Sequence, residues 1–346
     1  MISEHIINPS EEDIIRVIVI DDSAFMRKSL TLMLESDPEI KIIATARDGS
    51  EGIEKIHKLK PDIVTLDIDM PGMDGLTALK IIMEQMPVPV LMVSSLTTEG
   101  AQATMQAFDL GAVDFISKDL SYVSTNIKNI KTELIEKVKQ IVRSSLIHTR
   151  FRMRRLAQST QHKSIHVKPA SKKISFADVM LDFQAVVMGI STGGPQALLK
   201  LIPKLPKHFP LSIAIVQHMP PHFTRTLAER MNSISNVFVK EAEKGEAIEP
   251  GKVLIAPGGK QMTFSNSNSH ITVEISDEPK DILYRPSVDI MMTSASVAFK
   301  GPLLGIIMTG MGKDGVEGLK LIKSKGGYVI SQDEESCIVY GMPRAA

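Results

Sequence analysis

Short apolar runs alternate with longer amphipathic stretches along the first part of the chain. The apolar runs fall at residues 17–20, 40–46, 63–66, 89–93 and 113–116. They are rich in β-branched residues and too short for helices, which is typical of buried parallel strands. Between them, stretches with helical spacing of apolar residues fall near residues 25–34, 51–59, 76–86 and 99–110. This alternation predicts a parallel sheet covered by helices, the α/β class.

An amphipathic helix is predicted to close this part of the chain. Its apolar positions recur every three or four residues, at Ile127, Ile130, Leu134, Val138 and Ile141. Such a spacing places the apolar side chains in one buried stripe, with Lys and Glu on the other faces. The first domain is therefore predicted to cover residues 15–143.

The pattern breaks at residues 144–178, where the chain becomes polar and strongly basic. A run of this composition indicates a linker between domains. A docking arm for an acidic partner is the alternative, although a solvated connector is the commoner meaning of such a charge run. A second domain is predicted to follow at residues 179–346.

Strand and helix patterns resume in this second domain. Apolar runs fall at residues 185–190, 213–216, 237–239, 253–255, 271–275 and 303–308. Helical spacing is found near residues 195–202, 222–231, 288–299 and 315–324. A β-hairpin is predicted over residues 262–276, around the turn sequence N-S-N-S. We expect a second, mostly parallel, doubly wound α/β domain that carries this hairpin.

Composition excludes several classes of function. The 346 residues are 43% hydrophobic, which suffices for two cores, and 40 Lys and Arg balance 40 Asp and Glu. This balance, the absence of Trp and the lack of a helix-turn-helix pattern argue against a nucleic acid partner. No apolar run is long enough to insert into a membrane. The single cysteine, Cys337, and the lack of a signal-peptide pattern predict a cytoplasmic protein.

Polar side chains follow four of the strands predicted in the first domain. Asp21 and Asp22 follow the first strand, Asp67 the third, Ser94 the fourth and Lys118 the fifth. The carboxyl ends of parallel strands meet at one edge of a sheet, so these groups are expected to converge. Three carboxylates repel one another unless a hard cation such as Mg²⁺ lies among them. A lone aspartate at a strand end is more often a helix cap, but the set favours a carboxylate that accepts a phosphoryl group.

Residues 15–143 resemble the receiver domain of two-component response regulators. The resemblance implies a flavodoxin-like (βα)5 fold, Asp67 as phosphorylation site, and Mg²⁺ held by Asp21, Asp22 and Asp67. It also implies a switch formed by Ser94, Lys118 and Phe115. Receivers usually have proline after the lysine, often through a cis bond, whereas this sequence has Asp119. Because a cis bond without proline costs roughly 2.5–4 kcal/mol, we expect a trans bond and a less firmly held lysine.

A serine, a histidine and an aspartate follow predicted strands of the second domain. Ser191 lies in the turn G-I-S-T-G-G-P, His218 in V-Q-H-M-P and Asp314 in M-T-G-M-G-K-D-G. A serine becomes a nucleophile when an imidazole takes its proton and a carboxylate orients that imidazole. Glycine-rich turns bind nucleotides at least as often, so the turn alone decides nothing. The chain order serine, histidine, aspartate disfavours the α/β-hydrolase fold.

Other residues complete or compete with this set. The glycines on either side of Met311 suggest a bend with exposed backbone amides, suited to an oxyanion hole. A tight connection is the alternative for that bend. His208, His222 and His270 compete poorly, because they are predicted to lie in a loop, at a helix start and in the hairpin.

Residues 183–346 resemble the catalytic domain of the CheB family, the chemotaxis protein-glutamate methylesterases. Six stretches carry the resemblance, namely G-I-S-T-G-G-P, V-Q-H-M-P, A-P-G-G-K-Q-M, Y-R-P-S-V-D, M-T-G-M-G-K-D-G and S-C-I-V-Y-G-M-P-R. The family implies Ser191 as nucleophile, His218 as general base and Asp314 as its orienting carboxylate, with the amides of Met311 and Thr192 as oxyanion hole. The family usually continues into a final helix, so the resemblance implies a carboxyl end truncated at Ala346.

The resemblance also implies substrate, partners and control. Methylated glutamates of methyl-accepting chemotaxis receptors are the expected substrate, with glutamine deamidation as a second activity. No cofactor is expected for ester hydrolysis. A chemotaxis histidine kinase is the expected phosphodonor, and the unphosphorylated receiver is expected to repress by covering the catalytic crevice. Two alternatives stay open, a deamidase acting mainly on another protein and a regulator whose second domain only docks a partner.

Overall fold

A computed structural model describes residues 14–118, 130–144, 183–267 and 270–346. It divides into two compact units, Met1–Arg143 and Ser144–Ala346. Apart from Ser144, the predicted linker lies outside the described residues. Ile127 of the predicted last helix and Asp119 after the lysine also lie outside them, as do residues 268 and 269 of the hairpin turn.

The first unit is built on a five-stranded parallel sheet in the order β2-β1-β3-β4-β5. Its strands are β1 (Ile15–Ile20), β2 (Ile40–Ala46), β3 (Ile63–Asp67), β4 (Val90–Ser94) and β5 (Asp114–Ser117). Its helices are α1 (Ala24–Leu34), α2 (Gly49–Leu59), α3 (Gly75–Gln85), α4 (Thr98–Leu110) and a stretch over 130–144, called α5 here. The predicted fold class of this unit is confirmed.

The central strands of this sheet are buried on both faces. All of β3 and β4 is buried, as are the last four residues of β1. This burial explains why the strands are continuous apolar runs rather than alternating patterns. The helices start one or two residues before the apolar pattern, because polar caps precede them. Asp48, for example, accepts a hydrogen bond from the backbone N–H of Glu51 and starts α2 at Gly49.

The second unit contains a six-stranded parallel sheet in the order β13-β12-β6-β7-β9-β8 and an antiparallel hairpin, β10-β11. The sheet strands are β6 (Ala185–Ile190), β7 (Ser212–Gln217), β8 (Phe238–Glu241), β9 (Lys252–Ile255), β12 (Leu303–Ile307) and β13 (Tyr328–Ser331). The hairpin strands are β10 (Gln261–Ser267) and β11 (His270–Ser276). Its α-helices are α6 (Gly194–Leu201), α7 (Phe223–Ile234), α8 (Val288–Ala298), α9 (Val316–Ser324) and α10 (Met342–Ala345). The doubly wound second fold with its hairpin is confirmed.

Strand β13 was absent from the sequence-based prediction. It is an edge strand of four residues, three of them exposed, that pairs only with β12 among the described strands. Its apolar run spans only residues 328–330, and the exposed side chains of an edge strand do not mark it as buried. Its place in the sheet is shown by its parallel pairing with β12.

The hairpin packs against α8 and shares a core with it. Met262 and Val273 of the hairpin and Met291 and Met292 of α8 are fully buried in one cluster. Flexible methionine side chains suit the irregular space between a hairpin and a helix. None of the helices in the described parts of the chain is long and apolar enough to span a bilayer.

Candidate active site and phosphoacceptor site

Three carboxylates of the first unit converge where β1 and β3 end. These strands are parallel neighbours, so Asp21, Asp22 and Asp67 leave the sheet at the same edge. One oxygen from each lies within 4.8 Å of the others. Asp21 and Asp67 are fully buried, whereas Asp22 is exposed. The three predicted carboxylates are therefore brought together at the carboxyl edge of the sheet.

Lys118 reaches into this cluster from the end of β5. Its Nζ lies 2.5 Å from Asp67 Oδ1 and 3.6 Å from Asp21 Oδ2. Its backbone N–H donates to the carbonyl of Ser94, at 2.8 Å. Two carboxylates and one backbone hydrogen bond therefore contact Lys118, and the expectation of a less firmly held lysine stays a prediction. The geometry of the bond to Asp119 lies outside the described residues.

Burial governs the protonation of these carboxyl groups. Desolvation raises the pKa of Asp67 to about 6, with the hydrogen bond from Lys118 opposing it and the charge of Asp21 adding to it. Desolvation likewise raises the pKa of Asp21, opposed by the charge of Lys118. The single positive charge of Lys118 therefore does not offset the cost of burying two neighbouring carboxylates, and both pKa values rise.

The same atoms fit a hard divalent cation. Asp21 Oδ2 and Asp67 Oδ2 are buried and accept no hydrogen bond within the described part of the chain. Carboxylate oxygens with free lone pairs are the ligands that Mg²⁺ takes up, usually alongside water and a phosphate oxygen. The exposed carboxylate of Asp22 leaves one side open to solvent. The donor set therefore suits a cation that bridges the protein and a phosphoryl group.

The two remaining predicted switch residues are buried beside α4 and α5. Ser94 Oγ donates to the carbonyl of Gly100, at 3.1 Å, and accepts from Thr104 Oγ1, at 3.0 Å. Phe115 is buried and packs edge-on against Phe108, with 6.3 Å between ring centroids. The hydroxyl is thus turned toward α4, and no direct hydrogen bond joins Ser94 to Asp67 in the described residues.

The register of the second sheet places Ser191 beside His218. Ile190 of β6 pairs with Gln217 of β7, so the next residue on each strand leaves the sheet at the same level. The backbone N–H of His218 donates to the carbonyl of Ile190, at 3.1 Å. The backbone N–H of Ser191 donates to Thr309, which follows β12 on the other side of β6, at 3.0 Å.

The loop after β12 brings Asp314 to His218. His218 Nε2 lies 2.8 Å from Asp314 Oδ2, and both side chains are largely buried. Asp314 Oδ1 also accepts from Ser287 Oγ and from the backbone N–H of Asp289, both at 3.0 Å, and Oδ2 accepts from the N–H of Val288, at 2.7 Å. Burial alone would raise the pKa of Asp314, but the histidine and these donors outweigh burial and lower it.

The second ring nitrogen of His218 is left for a reacting group. Nδ1 is buried and has no hydrogen-bond partner in the described residues. When Nε2 carries the proton donated to Asp314, Nδ1 holds a lone pair that can accept a proton. His218 is therefore paired with Asp314, and Ser191 follows the adjacent strand. A hydrogen bond between Ser191 Oγ and His218 Nδ1 is not formed among the described contacts.

Backbone amides are free on both sides of Ser191. The N–H groups of Thr192 and Met311 donate to no acceptor in the described part of the chain. Gly193 and Gly312 have φ of +75° and +86°, the left-handed conformation that lets each loop turn sharply. A Cβ at Gly310 would lie 2.8 Å from the Cβ of Ser191, so the two loops meet at the serine. Unpaired amides in such bends can stabilise an oxyanion.

Gln217 and Ser287 also hold this site, although neither was predicted from the sequence. Gln217 is buried, and its Nε2 donates to the carbonyl of Ser191, at 3.0 Å, which ties the serine turn to the histidine strand. Ser287 donates to Asp314 and caps α8. Both lie within the quoted motifs V-Q-H-M-P and Y-R-P-S-V-D. Their position inside those motifs was the only signal, because no periodicity marks a buried polar contact.

Comparison with known proteins bears on both units. The chain matches the response regulator receiver domain over residues 17–125 and the CheB methylesterase over residues 186–346. The protein-glutamate methylesterase/protein-glutamine glutaminase 1 of Oleidesulfovibrio alaskensis is 49% identical, over 96% of this chain and 93% of that protein. The protein of Pyrococcus abyssi named protein-glutamate methylesterase/protein-glutamine glutaminase is 45% identical, over 96% and 87%.

A solved structure also matches part of the chain. The crystal structure of the Thermotoga maritima CheB methylesterase catalytic domain is 44% identical, covers 48% of this chain and 87% of that chain, and has a TM-score of 0.46. Identity near one half over almost the full length of both proteins extends across the receiver as well as the catalytic part. The chain belongs to the CheB methylesterase family, with a response regulator receiver domain ahead of its methylesterase domain.

Proposed function

We propose that Ser191, His218 and Asp314 form the catalytic triad of a methylesterase that acts on glutamate methyl esters of chemotaxis receptors. The observation that carries this proposal is the buried 2.8 Å contact of His218 with Asp314 at the strand end next to Ser191. The family relationship supports a methyl ester as substrate, since the relatives are named for protein glutamate and glutamine. We place the reaction in the cytoplasm, where a receptor presents its methylated segment.

The reaction divides into two transfers of the acyl group. Ser191 Oγ attacks the ester carbonyl while its proton passes to Nδ1 of His218, and the charge of Asp314 balances the imidazolium that forms. The amides of Thr192 and Met311 stabilise the negative oxygen. The C–O bond to the methoxy group then breaks, methanol leaves with the proton from His218, and water hydrolyses the acyl-enzyme by the reverse route. A glutamine side chain follows the same path with ammonia as leaving group.

The first unit supplies the control of this reaction. Mg²⁺ held by Asp21, Asp22 and Asp67 would offset the charge of an incoming phosphoryl group. Asp67 Oδ attacks the phosphorus of phosphohistidine on a chemotaxis histidine kinase, and the histidine nitrogen leaves. Lys118 lies 2.5 Å from Asp67 Oδ1 and pairs with the transferred group. Ser94 then exchanges its bond to Gly100 for one to the phosphoryl oxygen, and Phe115 responds to that movement.

The catalytic assignment is tested by methanol release from methylated receptor. Ser191→Ala and His218→Ala should each lower turnover by roughly 10⁴- to 10⁶-fold, because each removes a member of one proton-transfer unit. Asp314→Asn should lose less, since the carboxylate orients but does not react. His208→Ala, which changes an exposed histidine, is the matched control and should be fully active. Wild-type methanol release by cooperatively folded Ser191→Ala would refute the triad.

A further inference from the structure

The ring of Tyr284 covers one face of the His218 imidazole. The ring centroids lie 4.2 Å apart and the planes differ by 4°, so the two rings are stacked in parallel. Tyr284 is partly buried and lies in the segment that leads into α8. It is outside the proposed triad, and its motif had suggested no role for it.

The segment that carries Tyr284 also holds Asp314. Gln261 of β10 is fully buried and binds the segment at two points. Its Nε2 donates to the carbonyl of Tyr284, at 3.0 Å, and its Oε1 accepts from the backbone N–H of Ser287, at 2.9 Å. Ser287 donates in turn to Asp314. One short segment therefore both supplies the ring that stacks on the imidazole and holds the carboxylate that the imidazole contacts.

The stacked ring of Tyr284 restrains a motion of the His218 imidazole that its hydrogen bond to Asp314 leaves free. The bond from Nε2 to Asp314 fixes one point of the imidazole, and the ring can still tilt about that bond. A flat ring in parallel contact opposes the tilt and keeps Nδ1 in one direction. When His218 takes a proton, its positive charge also lies over the electron-rich face of the phenol, where such contacts are attractive.

The hydroxyl end of the Tyr284 ring lies close to the loop that carries Met311 and Gly312. A Cβ at Gly312 would lie 2.9 Å from the Tyr284 hydroxyl oxygen, so the ring fills the space between His218 and this loop. Gly312 follows Met311, whose backbone N–H has no acceptor in the described residues. The stacked ring thus also excludes water from one side of the imidazole.

We propose that Tyr284 is a positioning residue, which orients the His218 imidazole so that Nδ1 faces Ser191 during proton transfer. This inference rests on the proposed role of His218 as general base. The aromatic ring, and not the hydroxyl, carries the effect. Tyr284 acts on the chemical step and leaves receptor binding unchanged.

The test compares kcat and KM for methanol release in the full-length protein. Tyr284→Leu and Tyr284→Met, which lack a flat ring, should lower kcat by about ten- to a hundredfold and change KM by less than about threefold. Tyr284→Phe should restore kcat to within about threefold of the wild type, because it keeps the ring. Tyr328→Leu is the matched control, since Tyr328 also packs against a neighbouring ring, that of Phe183, but lies on edge strand β13.

Other outcomes have distinct meanings. Wild-type kcat in both Tyr284→Leu and Tyr284→Met overturns the inference, and so does a loss in Tyr284→Phe as large as in Tyr284→Leu. A rise in KM with unchanged kcat would place Tyr284 in receptor binding and also overturn it. His218→Ala is measured in parallel. If that variant stays active, the proposed triad fails, whereas an inactive His218→Ala with fully active Tyr284→Leu refutes only the role of Tyr284.

Discussion

Asp314 and Asp67 are two buried carboxylates whose pKa values move in opposite directions. Four donors surround Asp314, and together they outweigh burial and lower its pKa. Asp67 has Lys118 and one backbone N–H, so burial prevails and its pKa rises to about 6. A lowered carboxyl pKa stabilises the fold above the unfolded value near 3.8, and that stability is lost as the pH falls through the lower folded value.

Cys337 gives a test of burial at the level of one residue. It is the only cysteine of the chain and is fully buried, and desolvation raises its pKa to about 12. The thiol therefore stays neutral and unreactive far above neutral pH. We expect iodoacetamide at about pH 8 to leave the native protein unlabelled and to label one site after denaturation. Mass spectrometry measures both states. Stoichiometric labelling of the native protein would contradict the described burial.

At the scale of elements, both sites use the same construction. The candidate reactive residue lies at or directly after the end of a parallel strand, and the next helix starts close against the end of that strand or of its neighbour. In the first unit, Gly75 begins α3 directly over the carbonyl of Asp67, and its N–H donates to Ile68, at 2.9 Å. In the second unit, Gly194 begins α6 against the side-chain oxygen of Gln217. Glycine suits both positions, because a Cβ would meet the backbone carbonyl of Asp67 at Gly75 and the buried side chain of Gln217 at Gly194.

The substitution Gly75→Ala should therefore disturb the proposed phosphoacceptor site. Its new Cβ would collide with the backbone carbonyl of Asp67, which cannot move without shifting β3. We expect a loss of roughly 2–3 kcal/mol in stability and slower phosphate uptake from acetyl phosphate. Gly72→Ala is the matched control, since that glycine has φ +78° and no atom near the added Cβ. It should cost only about 1 kcal/mol, from the backbone conformation.

Calorimetry and labelled acetyl phosphate measure the two effects. A Gly75→Ala protein that melts at the wild-type temperature and takes up phosphate normally would show that the strand end is more adaptable than its contacts imply.

At the scale of the whole molecule, each unit has its own sheet and its own buried core. Because each unit buries its own apolar residues, a fragment that contains only the second unit should fold. The basic segment between the units offers the place to separate them, although it lies outside the described residues apart from Ser144. The control of one unit by the other is therefore open to a direct test.

Cleavage of the chain after Thr160 should release an active fragment that no longer responds to a phosphodonor. If the unphosphorylated receiver represses by covering the crevice, the activity of the fragment should exceed that of the intact chain by a limited factor. This factor is about the inverse of the fraction of intact molecules in which the crevice is open.

In the intact chain, Asp67→Asn should keep basal activity and lose stimulation by acetyl phosphate with Mg²⁺, because an amide cannot form the acyl phosphate.

Methanol release from fragment, intact chain and Asp67→Asn measures these effects together. A fragment no faster than the unphosphorylated intact chain would rule out repression by covering and leave the catalytic assignment standing. Stimulation of Asp67→Asn equal to that of the wild type would mean that Asp67 is not the phosphoacceptor.

Both α/β folds could be predicted from the sequence alone, as could the strand ends that carry the candidate reactive groups. Buried parallel strands appear as short β-branched runs, because both faces of each strand are covered, and this local property needs no knowledge of neighbours. Asp67 and Ser191 could be located because each follows such a run directly. Helix starts were less accurate, since caps such as Asp48 lie outside the apolar pattern.

The contacts between individual atoms, in contrast, depend on how distant segments pack. The pairing of His218 Nε2 with Asp314 joins residues 96 positions apart, and the stacking of Tyr284 on His218 joins two separate loops. Strand β13 likewise forms only because β12 offers it an edge. These contacts depend on register and loop geometry, which no local pattern of apolar and polar residues encodes. The sequence could therefore propose the candidate side chains, whereas packing determines how each one is oriented and which nitrogen of His218 is left without a partner.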